Sequence, residues 1–495
     1  MNRTIEQSVT GAWLDRSADA SDDALPGIEA RRRFLKIIGA GAGAGAGMLA
    51  AGPAAARVAP AADTPGYFGS YRNLFVLNRE LLFMNIGTAG SMPRDVLRYF
   101  ADSNLEYARE SLSGYSNFLA LRERIAPGFG VDADELVVSY NTSDGMCHAI
   151  LGIPWQQGDC VVTTNHEHPG GNVPLQIAVD RYGVVVRRVL LPTGNDQTAA
   201  DYAALFQEAI DQARADGLNV RALMWSSPTF LTGTMLPIRR LVDVAIANGL
   251  ISICDGAHLP GMMAYDYAKL GVDFMSGAGH KWQCGPGSTG ILVIRNKVRA
   301  EYNPLPLPAY FPVVTSSYAP TIGGVAWGNR AVGALATYNI GNVIQSCGSK
   351  HVPLIDSLGA ACDIWDRIGR KAIEDYIIGL SLRLKNTIAD RWGIAHLYAP
   401  KDDMELVSAL TSFNPFFYDR DLIKVAAPSN TFVSRLRSEY GIVVRNTTVP
   451  VRTGPTTTEN HFPLRVSTHL WHSARDVDYL VRSCWDLATK MRDGM

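Results

Sequence analysis

Val272-Asp-Phe-Met-Ser-Gly-Ala-Gly-His-Lys281 runs directly into Trp-Gln-Cys-Gly-Pro-Gly-Ser-Thr-Gly-Ile291. The segment opens as an apolar strand, thins to small residues over Gly277-Ala-Gly279, and delivers a lysine into a glycine-rich turn. Just upstream, Leu250-Ile-Ser-Ile-Cys254 ends in Asp255-Gly-Ala-His258, a second strand that stops at a charged residue. Working outward, apolar or β-branched runs at Glu135–Tyr140, Asp159–Thr163, Val184–Leu191, Val220–Trp225 and Gly290–Ile294 read as strands. Helical periodicity at Ser143–Gly152, Val173–Arg181 and Leu236–Asn248 separates several of them. Such alternation predicts an α/β fold with a mostly parallel sheet covered by helices. Ligands bind such sheets outside the carboxyl ends of their strands, so residues just past each strand are the candidates for chemistry.

The whole chain supports this reading. Its 495 residues exceed a single core, and at 47% hydrophobic and 19% charged its composition is that of a globular protein. A net charge of −1 gives no electrostatic reason to expect nucleic acid or an anionic membrane as partner. The seven cysteines show neither CxxC nor zinc-finger spacing, so they read as buried free thiols and no metal site is expected. Helical periodicity returns at Leu354–Arg370 and Ala372–Arg391, two late strands fall at Gly441–Arg445 and Pro463–Ser467, and a final helix starts at Ser473. The expected division is a segment 57–95 packing with the smaller domain, a large domain 96–345 containing a long Pro- and Gly-rich loop from 301, and a small α/β domain 346–495.

The stretch 272–291 resembles the cofactor-attachment motif of class V aminotransferases, enzymes that use pyridoxal 5'-phosphate (PLP). Shared features are the aliphatic-Asp start, two small residues before His280-Lys281, the spaced Gly287-Ser-Thr289, and Ile291. The resemblance covers roughly residues 80–485 and is closest to the isopenicillin-N epimerase-like branch. It implies a PLP-dependent fold type I enzyme with a seven-stranded sheet, acting as a homodimer. Lys281 would carry the cofactor as a Schiff base, which requires an amine that is nucleophilic near neutral pH. Asp255 would hold the pyridine nitrogen protonated, and His258 would bond the ring oxygen. Tyr140-Asn-Thr-Ser-Asp-Gly145 sits between a strand and a helix, where a phosphate is expected, with Thr142 and Ser143 as ligands and His280 as a further contact. Ala278 stands where some relatives carry a phosphate-binding Ser. In Thr163-Thr-Asn-His-Glu-His-Pro-Gly-Gly-Asn-Val-Pro174 the family's ring-stacking residue falls on His168, with His166 as the rival. A guanidinium grips a carboxylate through two parallel hydrogen bonds, and Arg465 and Arg445 match the family's late arginines. Asn85, in Asn85-Ile-Gly-Thr-Ala-Gly90, would border the substrate, and Trp327-Gly-Asn329 would complete a phosphate site, with Asn329 in place of Thr. Phe230 stands where relatives place a polar residue near the ring oxygen.

Two further expectations concern location and reaction. Arg31-Arg-Arg-Phe-Leu-Lys36, followed by a Gly/Ala run to Ala56, resembles a twin-arginine export signal, with Ala54-Ala-Ala56 as a cleavage site and Ala62 as another. A membrane anchor is the alternative, weakened by the Gly/Ala content and Pro53. A dinucleotide loop is excluded, because the glycines of Gly39–Gly47 alternate strictly and cannot satisfy G-x-G-x-x-G. The expected product is a periplasmic protein without a stable membrane span, exported by the twin-arginine machinery. It resembles exported PLP enzymes that tailor peptide siderophores. The expected reaction is aminotransferase-type chemistry on an amino acid or the amino-acid moiety of a peptide metabolite, with epimerisation as the alternative. A PLP-binding protein without turnover would not need the whole set of Lys281, Asp255, His168 and Arg465. Desulfuration is disfavoured, because no Cys lies between Arg445 and Arg465, where desulfurases carry theirs.

Overall fold

The computed structural model describes residues 71–313 and 340–494. The twin-arginine segment and Trp327-Gly-Asn329, including Asn329, lie outside the described residues. The first strand, β1 (Leu82–Phe83), is short. It is followed by β2 (Leu136–Ser139), β3 (Asp159–Thr164), β4 (Val185–Val189), β5 (Asn219–Ser226), β6 (Ile251–Asp255), β7 (Phe274–Ala278) and β8 (Gly290–Ile294). The last seven form one sheet in the order β2-β8-β7-β6-β5-β3-β4. Pairing is parallel from β7 to β4, and only β8 runs antiparallel to its two neighbours. β2, β3, β7 and β8 are buried along their whole length, as strands covered on both faces must be, hence their continuous apolar sequences. β4 lies at the edge and exposes Arg187 and Arg188, charges that discourage pairing with another chain.

Helices join the strands, and their starts explain where the site forms. Thr142–Leu151 follows β2, capped by Asn141, whose side chain accepts from the Asp144 amide at 2.9 Å. Pro169–Tyr182 follows β3 and starts four residues before the expected Val173. The His168 ring caps it, Nδ1 accepting from the Gly170 amide at 2.9 Å, and Pro169 occupies the first helical position, where its missing N–H costs nothing. The core beside the sheet gathers Val137, Met146, Val161, Met224, Ile253, Phe274 and Leu292. Truncating the fully buried Phe274 to Ala would cost about 3–5 kcal/mol.

A second cluster lies in the C-terminal region. It packs the helices Arg370–Trp392, Ala426–Tyr440 and Ala474–Asp493 through Leu384, Phe432 and Leu480 against β9 (Leu410–Phe413). Four further strands are β10 (Ile442–Val443), β11 (Arg445–Asn446), β12 (Val449–Arg452) and β13 (Thr458–His461), and the last is β14 (Leu464–Ser467). β11, β14 and β9 form one antiparallel sheet, and β12–β13 is a hairpin. β1 pairs in parallel with β10, so the N-terminal segment joins the C-terminal region. The loop expected over 301–345 ends earlier, because Ile340–Gln345 is helical.

Candidate active site

Three strand ends and two helix starts converge at the carboxyl edge of the large sheet. Asp255 closes β6 and is buried. One of its oxygens accepts from the Ala257 amide at 3.0 Å. Burial raises its pKa, and the nearby Lys281 charge opposes that rise. Lys281 stands three residues beyond β7. Burial lowers its amine to about 8, with Asp255 pulling up and Arg465 and Arg445 pushing down. A substantial fraction of Lys281 is therefore the neutral, nucleophilic amine near physiological pH. The lysine turn is pinned from the side. The Gly90 amide donates to the His280 carbonyl at 2.8 Å, and a Cβ at Gly90 would stand 2.1 Å from the Lys281 carbonyl oxygen. Only glycine allows the turn Asn85–Gly90 to sit this close.

His168 and His166 separate cleanly. His168 packs edge-on against Phe230, ring centres 4.9 Å apart, and burial with the charges of Lys281, Arg465 and Arg445 lowers its pKa to about 4. It faces the lysine and the arginines as a neutral ring. His166 turns toward the β12–β13 hairpin, its Nε2 3.4 Å from the Pro450 carbonyl. His258 is buried, edge-on to Trp282 at 5.0 Å, and burial together with Lys281, Arg465, His168 and His280 holds it far below its usual pKa. Neither His258 nitrogen has a hydrogen-bond partner among the described residues, and the same is true of the buried Thr142 hydroxyl and of Arg465 Nε.

Thr142 and Ser143 open the helix after β2. The Thr142 carbonyl accepts from Ser276 of β7 at 3.0 Å, which ties this helix start to the strand leading to Lys281. A Cβ at Gly170 would come within 2.5 Å of the Ser143 hydroxyl, so the two helix starts stand side by side. The start of the first helix, at Thr142 and Ser143, favours an anion there, whereas at the second start the Gly170, Gly171 and Asn172 amides are already taken by His168. His280, half-buried, points Nδ1 at the Thr289 carbonyl at 3.4 Å. Arg465, on β14, is buried. Its Nη1 donates to the Phe230 carbonyl at 2.8 Å and its Nη2 reaches Asn85 Oδ1 at 3.5 Å. A Cβ at Gly87 would stand 2.9 Å from Arg465 Nη2, so the 85–90 turn lies flat against both the lysine loop and this arginine. Arg445 is exposed on β11.

Thus Lys281, Asp255, His168, His258, Arg465, Arg445 and Asn85 share one region, with Thr142, Ser143 and His280 around it. Sequence reading assigned no role to Glu167. Its carboxyl is buried and accepts from Ser226 Oγ at 2.5 Å, Thr164 Oγ1 at 2.6 Å and the Ser226 amide at 3.2 Å, fastening the His168 loop to the ends of β3 and β5. Burial raises it to about 7, and the neighbouring Asp255 adds to the rise. The available signal was a carboxylate directly after an apolar strand, between two histidines.

The donor set fits PLP. Its phosphate would meet the Thr142–Ser143 helix start and the free Thr142 hydroxyl. A ring nitrogen would meet Asp255, and a ring oxygen would meet His258, whose nitrogens are unpartnered. Among the described residues no group of His, Cys, Asp and Glu could hold a metal ion.

Comparison with known proteins gives the same picture. Residues 98–318 match the family described as aminotransferase class-V. A probable cysteine desulfurase of Methanothermobacter thermautotrophicus is 24% identical, over 83% of this chain and 96% of its own length. An isopenicillin N epimerase of Streptomyces clavuligerus is 24% identical over 45% of this chain and 55% of its own length. Among solved structures, the cystine C-S lyase C-DES in complex with cysteine persulfide superposes with a TM-score of 0.63 at 21% identity, covering 82% of this chain and 98% of that one. A lysine variant of C-DES was solved with glycine covalently linked to its PLP cofactor.

Proposed function

We propose, for a chain whose residues 98–318 match the class-V aminotransferase family, that Lys281 carries PLP on its amine. The protein then acts on the amino group of an amino acid, or of the amino-acid moiety of a peptide metabolite. The observation that carries this reading is one pairing. An amine lowered to about 8 stands in the loop after β7, under the charge of a buried carboxylate that ends the adjacent strand β6. When bound, PLP supplies an electron sink that weakens the bonds at a substrate Cα.

The chain's own residues do the rest. Asp255 holds a proton on the cofactor's ring nitrogen. Thr142 and Ser143, with His280, orient the phosphate, and His258 orients the ring oxygen. His168 would face the cofactor ring as a neutral imidazole, because burial and three cationic neighbours lower its pKa to about 4. Arg465, aligned by the Phe230 carbonyl and Asn85, receives the substrate carboxylate. The Lys281 amine would take and return the proton at the substrate Cα. Aminotransferase-type chemistry is the favoured outcome and epimerisation the alternative. Desulfuration by a loop cysteine is unsupported, because the region between Arg445 and Arg465 is occupied by the β12–β13 hairpin and contains no Cys. Cys284, three residues past Lys281, is buried and its thiol pKa pushed well up, which disfavours the thiolate. Export by the twin-arginine route to the periplasm, loading before export and a homodimeric assembly are part of the same reading and rest on the sequence.

The test is an absorbance spectrum of the purified protein with PLP, followed by a panel of amino-acid and peptide donors. A cofactor band abolished by Lys281→Ala, with keto acid formed from a donor, supports transamination. Deuterium uptake at Cα without keto acid supports epimerisation. No band after adding PLP would refute the reading.

A further inference from the structure

Arg445 of β11 and Arg465 of β14 are direct cross-strand partners in an antiparallel pair. Residues opposed in this way leave the sheet on the same face, with Cβ atoms about 4.5–5.5 Å apart, and like charges so placed repel. Arg465 feels that repulsion: burial and then the Arg445 charge lower it to about 9. Nothing among the described residues neutralises the pair. Arg465 spends its Nη atoms on a neutral carbonyl and a neutral amide oxygen, and its buried Nε has no partner. Arg445 donates Nε to the Asn446 carbonyl at 3.1 Å and joins no ion pair with a described residue. Glu459, on the neighbouring hairpin, is already bound to Lys424 and His461. Both guanidinium charges act on His168 and on Lys281, so both bear on the reaction volume.

The two differ in depth. Arg465 is buried beside the lysine loop, whereas Arg445 is exposed. We infer that the substrate is an acidic amine donor with two anionic groups, the α-carboxylate on Arg465 and a second carboxylate on Arg445. This inference rests on the reading of Arg465 as the carboxylate site given above. An inner cation and an outer cation on one sheet face select a molecule with two separated negative charges over one with a single charge. They also explain why a repulsive register is retained: bound dianion removes the repulsion.

Two measurements on the purified PLP-loaded chain test it. In the first, kcat/KM is compared for aspartate and glutamate against asparagine, glutamine and alanine. The acids should lead by about 10- to 100-fold, the range of a charge-assisted hydrogen bond. Arg445→Gln should narrow the gap to under about threefold by raising KM for the acids more than it lowers kcat, and Arg445→Lys should keep part of it. In the second, calorimetry with and without PLP compares glutarate and succinate with acetate. The dicarboxylates should bind more tightly, and Arg445→Gln should reduce them to the acetate level. The inference is overturned if acids and amides are used equally, or if Arg445→Gln weakens acetate and glutarate alike, which would mean one carboxylate shared by both arginines. A chain that forms no Lys281-dependent cofactor band would instead refute the proposed function, while the calorimetry would still decide whether the pair prefers a dianion.

Discussion

Among the described residues, Lys281 and Lys385 are both withdrawn from water, and they live differently. The Lys281 amine faces the Asp255 charge and makes no hydrogen bond or ion pair with a described residue. Lys385, in the helix Arg370–Trp392, is fully buried and points into the C-terminal region. Its amine donates to Ser381 Oγ at 2.7 Å, Leu410 O at 2.9 Å, Ser408 O at 3.1 Å and Thr411 Oγ1 at 3.1 Å, with no carboxylate among them. Burial pulls Lys385 to about 7, a lower value than that of Lys281, while its four oxygens favour the ammonium form. A depressed pKa alone therefore does not mark a reactive amine. What separates the two is commitment: Lys385 offers three N–H groups to four acceptors and is held fast, whereas the Lys281 amine has a charge to face and no described residue to hold it. Lys385 fastens its helix to β9, the strand beside the Arg465 strand, so the second lysine supports the site without entering it.

The contrast can be broken in graded steps. Lys281→Ala should abolish the cofactor band and lower turnover by roughly 10²–10⁴-fold or more, with the melting temperature of the cofactor-free protein unchanged or raised. Lys385→Met should do the reverse. The orphaned carbonyls and hydroxyls should cost about 1–3 kcal/mol in urea unfolding, and the folded fraction should still bind PLP. Asp255→Asn should move the pH dependence of cofactor loading. In the parent protein, loading requires the neutral amine and should rise with pH through about 8. Since Asp255 stabilises the ammonium, its removal should shift that midpoint downward, as a stopped-flow loading series would show. The smallest effect is expected from Glu167→Gln. The folded-state pKa of Glu167 lies above that of an unfolded carboxyl, so its contribution to stability is present at low pH and fades as pH rises to about 7. Chemical denaturation between pH 4.5 and 8 should show this slope in the parent and a flatter one in the variant.

Much of the large sheet was legible because its strands are buried on both faces and spelled in continuous apolar runs, such as Leu136–Ser139 and Gly290–Ile294. Lys281, Asp255 and the histidines were legible because they sit directly past such runs. The start of the helix after β3 was misread by four residues, since a histidine ring does the capping and only Pro169 signalled it. The β12–β13 hairpin was not read, because Thr458–His461 is polar and only partly covered, without the alternation of a core strand. The Arg445–Arg465 opposition was out of reach, since strand register is set by partners far apart in the chain. Lys385 carries no signal of its own within the helical pattern Ala372–Arg391. Its partners at 408–411 lie well beyond local sequence.

The His168 ring that begins the helix Pro169–Tyr182 does more than set a boundary. Because Nδ1 accepts the Gly170 amide proton, the neutral imidazole is fixed as the tautomer that carries its hydrogen on Nε2. The nitrogen left for a bound molecule is then a donor. His168 can lend a hydrogen bond to a negative oxygen, but it cannot take a proton without surrendering the helix end. The division of labour between giver and taker of protons is thus written into a helix cap, with Lys281 the remaining base.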